Sequence, residues 1–70
     1  MKLMTNFFLN DQPYYGKGQF TIFDVIQYFG YNSSLLVIEY NNLICDNGKW
    51  NKIFIKTGDR IEIVTIVGGG

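Results

Sequence analysis

Strict alternation of apolar and polar positions marks the start of the chain. In LMTNFFLN, the side chains of Leu3, Thr5, Phe7 and Leu9 fall on one side and the intervening residues on the other. A period of two predicts a β-strand. Turn residues follow at NDQP, where Pro13 suits a turn or a sheet edge because it cannot donate to a strand ladder. The two tyrosines after it are expected to begin the second strand of a hairpin, which GKG interrupts.

The middle of the chain contains one amphipathic helix. Apolar positions with helical spacing form a single face: Ile22, Val25, Ile26 and Phe29. Thr21 precedes this face as a favourable N-cap, and Asp24 places an acid in the first turn, where the helix dipole favours it. Gly30 is positioned to adopt the left-handed conformation that ends many helices. The pattern therefore predicts a helix between Thr21 and Gly30.

Strand patterns return in the second half of the chain. SSLLVIEY predicts a mostly buried strand, NN a turn, and LIC a short strand, while DNGKWNK indicates a loop or a short helical turn. An apolar segment, IFI, and a turn at TGD lead to a last strand in which Ile61 and Ile63 face inward. The element order predicts an α+β fold of the β-grasp (ubiquitin-like) type: a mixed sheet of four to five strands covered by one helix.

Composition narrows the class of protein. Of the 70 residues, 47% are hydrophobic, and six basic residues balance six acidic ones. We expect one domain over residues 1–70, with no nucleic-acid partner and no membrane partner, since no basic run or long apolar stretch is present. The N-terminus lacks signal-peptide features, and the single cysteine suits a reducing compartment. We therefore expect a cytoplasmic protein, or one of the plastid stroma if the gene is organelle-encoded.

The side chains offer little chemistry of their own. The chain has no histidine, and Cys45 is its one cysteine, so neither a cysteine–histidine pair nor a four-cysteine iron–sulfur cluster can be assembled. Its acidic residues are scattered, YGKGQFT lacks the spacing of a phosphate loop, and Trp50 is expected to be a packing residue. These features predict a protein that is not an enzyme and that binds no metal and no cofactor.

The chain ends in three glycines directly after the last predicted strand. Glycine loses the most conformational freedom on folding, so residues 68–70 are expected to form a flexible tail. A carboxylate becomes reactive when it is converted into a mixed anhydride such as an acyl-adenylate. A tail without side chains can enter the narrow active site in which a partner enzyme carries out that reaction.

Several stretches together resemble the sulfur carriers of thiamine biosynthesis, the ThiS family. FLNDQP is similar to the family's first strand and turn, and TIFDVIQYFG to its helix, while VIEYNNLICDNGKW resembles the segment that follows. The ending TGDRIEIVTIVGGG is the most specific of these matches. The resemblance extends along nearly the whole chain.

The resemblance implies a reaction cycle that is carried out on the chain end. An E1-like adenylyltransferase would use ATP to activate the carboxylate of Gly70, with Gly68 and Gly69 as the segment threaded into the partner. Sulfur from a cysteine-desulfurase-type donor would convert the adenylate into a thiocarboxylate. A thiazole synthase would then take the sulfur. In this cycle the chain is a recycled co-substrate, and ATP binds to the partner enzyme.

Strand periodicity adds an expected docking surface. If Ile61 and Ile63 face the core, Val64 and Ile66 face outward beside the tail, where exposed apolar side chains are candidates for partner contact. Phe8 is expected to join them, because the first and last strands are neighbours in this fold. We therefore predict a partner surface made of Phe8, Val64 and Ile66.

Three other functions remain open at this point. A molybdopterin-synthase small subunit and a tRNA-thiolation carrier would share the fold and the diglycine end. A ubiquitin-like binding module that is never activated would use the same apolar surface but not its terminus.

Overall fold

The computed structural model describes residues 4–66, so the predictions about Leu3 and about residues 68–70 lie outside the described residues. The elements are strands β1 (Met4–Leu9), β2 (Gln12–Lys17), β3 (Leu36–Tyr40), β4 (Leu43–Cys45) and β5 (Arg60–Thr65), helix α1 (Ile22–Phe29), and 3-10 turns at Ser33–Leu35 and Asn47–Lys49. They form a five-stranded sheet in the order β2-β1-β5-β3-β4. Strands β1 and β5 are parallel, and the other neighbours are antiparallel. The α+β arrangement is confirmed.

Two tight turns connect the hairpins of the sheet. Asn10 and Asp11 both have positive φ angles, of 50° and 65°, and so do Asn41 and Asn42, at 51° and 72°. Positive φ at both central residues matches the twist of antiparallel strands, and asparagine and aspartate tolerate it well. The first turn is thus shorter than NDQP, and Pro13 lies within β2 at the sheet edge.

Local signals at both ends define α1. The Thr21 hydroxyl accepts from the Asp24 backbone N–H at 3.1 Å, and the Asp24 carboxylate accepts from the Thr21 N–H at 2.8 Å. This reciprocal pair is a capping box. Gly30 ends the helix with a φ of 73°. Both predicted helix ends are confirmed, although Phe29 is 38% exposed and lies at the margin of the apolar face.

The start of SSLLVIEY differs from the predicted strand, and the apolar IFI segment, for which no strand is predicted, forms none. SSLLVIEY begins with the 3-10 turn, because Asn32 caps it by accepting from the Ser34 N–H at 3.1 Å, and the strand starts only at Leu36. The IFI segment forms a single bridge, between Phe54 and Thr21, rather than a strand.

The core lies between α1 and one face of the sheet. It consists of Phe7, Leu9, Ile22, Val25, Ile26, Leu36, Ile38, Cys45, Trp50, Ile55, Ile61 and Ile63. Trp50 is 3% exposed, and its indole N–H donates to the Cys45 carbonyl at 3.0 Å, which confirms its predicted packing role. Within residues 4–66, no helix covers the opposite face of the sheet, which is called here the outer face.

Candidate functional site

The last strand, which leads to the terminal glycines, is the central strand of the sheet. On one side, the Asn10 side-chain oxygen accepts from the Ile63 N–H at 2.7 Å. On the other side, the Asn41 side-chain oxygen accepts from the Arg60 N–H at 2.8 Å. Each hairpin turn thus supplies one asparagine side chain that accepts a hydrogen bond from a backbone N–H of β5, in addition to the bonds that β5 makes with its neighbouring strands. Side chains of the two hairpin turns therefore bind β5 from both sides, at its start and in its middle.

A buried carboxylate organises the turn that begins β5. Asp59 is 8% exposed and accepts three hydrogen bonds, from the Tyr40 hydroxyl at 2.6 Å, the Asn41 amide at 3.2 Å and the Lys56 backbone N–H at 2.8 Å. Burial, the bond to Asp59 and its charge raise the pKa of Tyr40 to about 12. Sequence reasoning assigned Asp59 only to a turn, since its side-chain partners Tyr40 and Asn41 lie far from it along the chain.

The outer face of β5 and β3 carries an apolar cluster. Val64 is 53% and Ile66 51% exposed, whereas Ile61 and Ile63 are buried, as the alternation predicts. Val37 lies directly opposite Val64 in the β3–β5 register. Ile44 of β4, 74% exposed, belongs to the same face because it pairs with Glu39, which pairs in turn with Glu62. We call Val37, Ile44, Val64 and Ile66 the outer patch.

Phe8 is placed apart from this patch by the strand register. It is a neighbour of β5, as predicted, but it pairs with Arg60 at the beginning of that strand. Val64 lies four residues further on, or about 13 Å along a strand. The Arg60 guanidinium covers the Phe8 ring, with its carbon 4.6 Å from the ring centroid, and Phe8 is half-buried. In this register the immediate neighbour of Val64 is therefore Val37 and not Phe8.

Two like charges face each other beside the outer patch. Glu39 and Glu62 are directly opposed in the β3–β5 register, and both are half-buried. Like charges directly opposite on neighbouring strands destabilise a sheet. A positively charged partner would relieve this repulsion, so the outer face combines an apolar contact area with an acidic one. Alternation in the sequence puts Glu62 on this face, but the pairing with Glu39 depends on register.

The remaining chemistry-bearing groups do not form a reaction centre among residues 4–66. Cys45 is buried, and burial raises the pKa of its thiol, against a lowering effect of Lys49. A thiol with a raised pKa is a weak nucleophile. The described part of the chain contains no cluster of three or more histidine, cysteine, aspartate or glutamate residues that could hold a metal ion. It also contains no helix that is long and apolar enough to cross a membrane.

Comparison with known proteins connects this arrangement to one family. The family model described as the ThiS family matches residues 8–70. A solved structure titled thiamine biosynthesis protein (ThiS), from Geobacter metallireducens, superimposes with a TM-score of 0.80 and covers 94% of this chain and 100% of that chain. At 19% identity this likeness shows the fold alone, and the fold that it shows is the predicted β-grasp.

Relatives at higher identity are proteins named ycf40. The one from Trieres chinensis is 56% identical over 64 residues, covering 91% of this chain and 88% of the relative. The one from Porphyra purpurea is 29% identical over 62 residues, covering 89% of this chain and 87% of the relative. The similarity thus spans nearly the full length on both sides. The predicted reactive residue Gly70 and the threading residues Gly68 and Gly69 lie outside the described residues, but within the family match.

Proposed function

Because the chain belongs to the ThiS family, we propose that it is a sulfur carrier, a small protein whose own C-terminal carboxylate is the reactive group. The specific role that we propose is delivery of sulfur to a thiazole synthase during thiamine biosynthesis. The observation that carries the proposal is the family match over residues 8–70, which includes the three terminal glycines together with the strand that leads to them.

The geometry of β5 supports the use of the chain end as a carrier arm. The Ile66 N–H donates to the Leu35 carbonyl at 2.7 Å, so the chain is still attached to the fold at this residue. Four residues follow, and four fully extended residues span at most about 14 Å. A partner that binds the outer patch therefore has the carboxylate of Gly70 within a short reach of its contact surface.

The chemistry needs four steps, all carried out in partner proteins. An E1-like adenylyltransferase joins the Gly70 carboxylate to the α-phosphate of ATP and releases pyrophosphate. The terminal sulfur of a persulfide, supplied by a cysteine-desulfurase-type donor, attacks the acyl carbon and displaces AMP. A second thiol then reduces the resulting acyl disulfide, leaving a thiocarboxylate on Gly70. The thiazole synthase accepts this sulfur, and an oxygen atom from its substrate or from water takes the place of the sulfur on the acyl carbon, which regenerates the carboxylate.

The chain's own contribution to this cycle is recognition and delivery. Glycine at positions 68 to 70 presents no side chain to the walls of a narrow active site. The outer patch supplies apolar contact area next to the tail, and Glu39 and Glu62 supply negative charge that suits a basic partner surface. In this proposal the protein is a co-substrate and not an enzyme, and ATP binds only to the adenylyltransferase.

Intact mass spectrometry tests the proposal directly. The protein is incubated with ATP, an E1-like adenylyltransferase and a cysteine desulfurase with cysteine. We expect a mass gain equal to the replacement of one oxygen by sulfur, which is absent without ATP and absent when Gly70 is deleted. No mass gain with competent activating enzymes would contradict the carrier function and would favour a ubiquitin-like binding module.

The acceptor distinguishes the thiamine pathway from its rivals. Purified thiocarboxylate is offered separately to a thiazole synthase, a molybdopterin-synthase large subunit and a tRNA-thiolation enzyme. We expect loss of the sulfur mass only with the thiazole synthase and its substrates. Transfer to one of the other two acceptors alone would retain the carrier chemistry but overturn the proposed pathway.

A further inference from the structure

One edge of the sheet presents backbone groups that no described residue pairs with. On β1, the backbones of Asn6 and Phe8 face β5, since the Asn6 carbonyl accepts from Gly58 and the Phe8 N–H donates to Asp59. The alternate residues of β1 therefore face β2. By the β1–β2 register, the backbone groups of Pro13, Tyr15 and Lys17 point away from the sheet. Within residues 4–66, β2 has β1 as its one neighbour.

An aromatic groove of about 510 Å³ runs beside this edge, between β2 and α1. The ring centroids of Tyr14 and Phe29 are 5.3 Å apart, and those of Phe7 and Tyr14 are 6.1 Å apart. Tyr28 lies 83% exposed on the helix side of the groove. An unpaired strand edge next to exposed aromatic side chains is a template for pairing with another strand.

We propose that the occupant of this edge is β2 of a second copy, joined antiparallel about a two-fold axis at Tyr15. In this register Tyr15 faces the partner's Tyr15, and each donates its N–H to the other's carbonyl. Lys17 donates to the carbonyl of the partner's Pro13, and the symmetry repeats this bond. Pro13 has no N–H to offer, but it falls at the end of the pairing, where its missing donor is least costly.

The side chains on both faces fit the same register. On the outer face the two Tyr15 rings lie opposite each other, an arrangement of aromatic residues that stabilises strand pairs. On the helix face, Tyr14 lies opposite the partner's Gly16, which has no side chain. Within each chain the Phe20 ring lies over Gly16, so that a Cβ at this position would be 2.8 Å from the ring. The two aromatic grooves therefore meet and cover each other at the two-fold axis.

Charge complementarity favours a second copy over other occupants. Lys17 lies opposite the partner's Pro13, so the partner's Asp11, in the turn just before β2, follows closely beyond the last paired residue, within reach of a long side chain. Asp11 is 77% exposed and makes a 3.4 Å contact with Arg60 in its own chain. Symmetry gives two such opposite-charge pairs, one at each end of the joined strands.

This dimer does not depend on the carrier function. The outer patch lies on β3, β4 and β5 and on Ile66 just after β5, and β1 separates these strands from the paired strand β2. Both outer patches stay accessible in the dimer. Failure of the dimer would therefore leave the thiocarboxylate reaction unaffected, and failure of that reaction would not affect the dimer.

Sedimentation equilibrium on the full chain, from low micromolar to millimolar concentration, tests the proposal. We expect the average mass to rise from that of one chain towards that of two as the concentration increases. In parallel, hydrogen exchange followed by NMR should show slower exchange of the Tyr15 and Lys17 amides at the higher concentration. A single monomeric species across the whole range overturns the proposal.

Two variants test the register, each with a matched control. Tyr15→Pro removes the central N–H without touching a β1–β2 bond, and we expect the dimer dissociation constant to rise at least about tenfold. Tyr15→Val keeps the N–H and should retain the dimer. Lys17→Glu should weaken the dimer, whereas Lys52→Glu, an equal charge change away from the edge, should not.

The outcomes separate the possible occupants of the edge. A dimer that Tyr15→Pro and Lys17→Glu leave unchanged uses another surface and overturns the register. The protein could instead stay monomeric, with Tyr15 and Lys17 amide signals that shift when a synthetic peptide of alternating valine and glutamate is added. That result would show that this edge binds an extended peptide, and it would overturn self-pairing.

Discussion

The hydroxyl of Tyr40 donates to the carboxylate of Asp59 at 2.6 Å, and this bond ties the end of β3 to the turn that begins β5. The same carboxylate accepts from the side chain of Asn41, whose own oxygen accepts from the Arg60 N–H. A hairpin turn and the start of the last strand thus share one buried acid. Because β5 leads to the glycines that the proposed carrier function uses, this network anchors the first residue of the strand on which that function depends.

Replacing the shared carboxylate should destabilise the protein. Asp59→Asn removes the charge that three donors share, and hydrogen bonds to a charged group are each worth about 1.5–3 kcal/mol. We expect the free energy of unfolding to fall by about 2 kcal/mol, measured by urea denaturation. Asp46→Asn is the matched control, since the Asp46 side chain makes no capping bond, and it should change the free energy by less than about 0.5 kcal/mol. Equal effects of the two variants would contradict the network.

The same bond predicts a loss of stability at high pH. The pKa of Tyr40 rises from 10.0 to about 12, mainly through burial and then through the bond to Asp59. Between these values the folded protein keeps a proton that the unfolded chain releases. The contribution of Tyr40 to the free energy of unfolding is therefore fully present below pH 10 and is lost as the pH rises through about 12.

Ultraviolet titration of tyrosinate checks this prediction. The wild-type spectrum should contain one tyrosine that ionises near pH 12, and this component should be missing from Tyr40→Phe. In the variant, the free energy of unfolding should also decline less steeply between pH 10 and 12 than in the wild type. The wild-type curve is also corrected by subtracting one tyrosine that ionises at the ordinary pKa of 10.0. If the corrected curve superimposes on that of Tyr40→Phe, the raised pKa of Tyr40 is ruled out.

Features that depend on neighbouring residues could be predicted from the sequence, and features that depend on register could not. Thr21 and Gly30 define their helix through local bonds, and the alternation in β5 puts Val64 outside. The role of Asp59 required a partner 19 residues away. The separation of Phe8 from Val64 follows from the parallel β1–β5 register, which no local pattern encodes.

The helix cap gives a prediction that tests local stabilisation. Thr21→Ala removes the hydroxyl that accepts from the Asp24 N–H at 3.1 Å, and loss of such a cap costs about 1 kcal/mol. We expect this decrease in urea denaturation, while Thr21→Ser, which keeps the hydroxyl, should be close to wild type. A Thr21→Ser variant as unstable as Thr21→Ala would assign the effect to lost packing of the methyl group rather than to the cap.

The opposed carboxylates predict a gain in stability on removal of one charge. Glu39→Gln should relieve the repulsion from Glu62 and raise the free energy of unfolding by about 0.5 kcal/mol at low salt. The gain should shrink at high salt, because ions screen surface charges. Adding Glu62→Gln to Glu39→Gln should give little further gain, since the repulsion is already gone. Fully additive gains would show that the two carboxylates do not interact.

The outer patch predicts the surface that the adenylyltransferase binds. Ile66→Asp places a charge in the patch beside the chain end. Burying that charge against an apolar partner is costly, so we expect the affinity for the adenylyltransferase to fall at least about tenfold in isothermal titration calorimetry. The free energy of unfolding should stay within about 0.5 kcal/mol of wild type, because Ile66 is 51% exposed.

Leu43→Asp is the matched control for this experiment. Leu43 is 74% exposed, but it pairs with Tyr40 rather than with Glu39, so its side chain lies on the opposite face of β4 from Ile44. The two variants introduce the same charge at an exposed apolar position, and they differ in the face that carries it. A loss of affinity with Ile66→Asp alone locates docking on the outer face. Equal losses would indicate a general effect of negative charge, and unchanged affinity in both would exclude the outer patch from partner recognition.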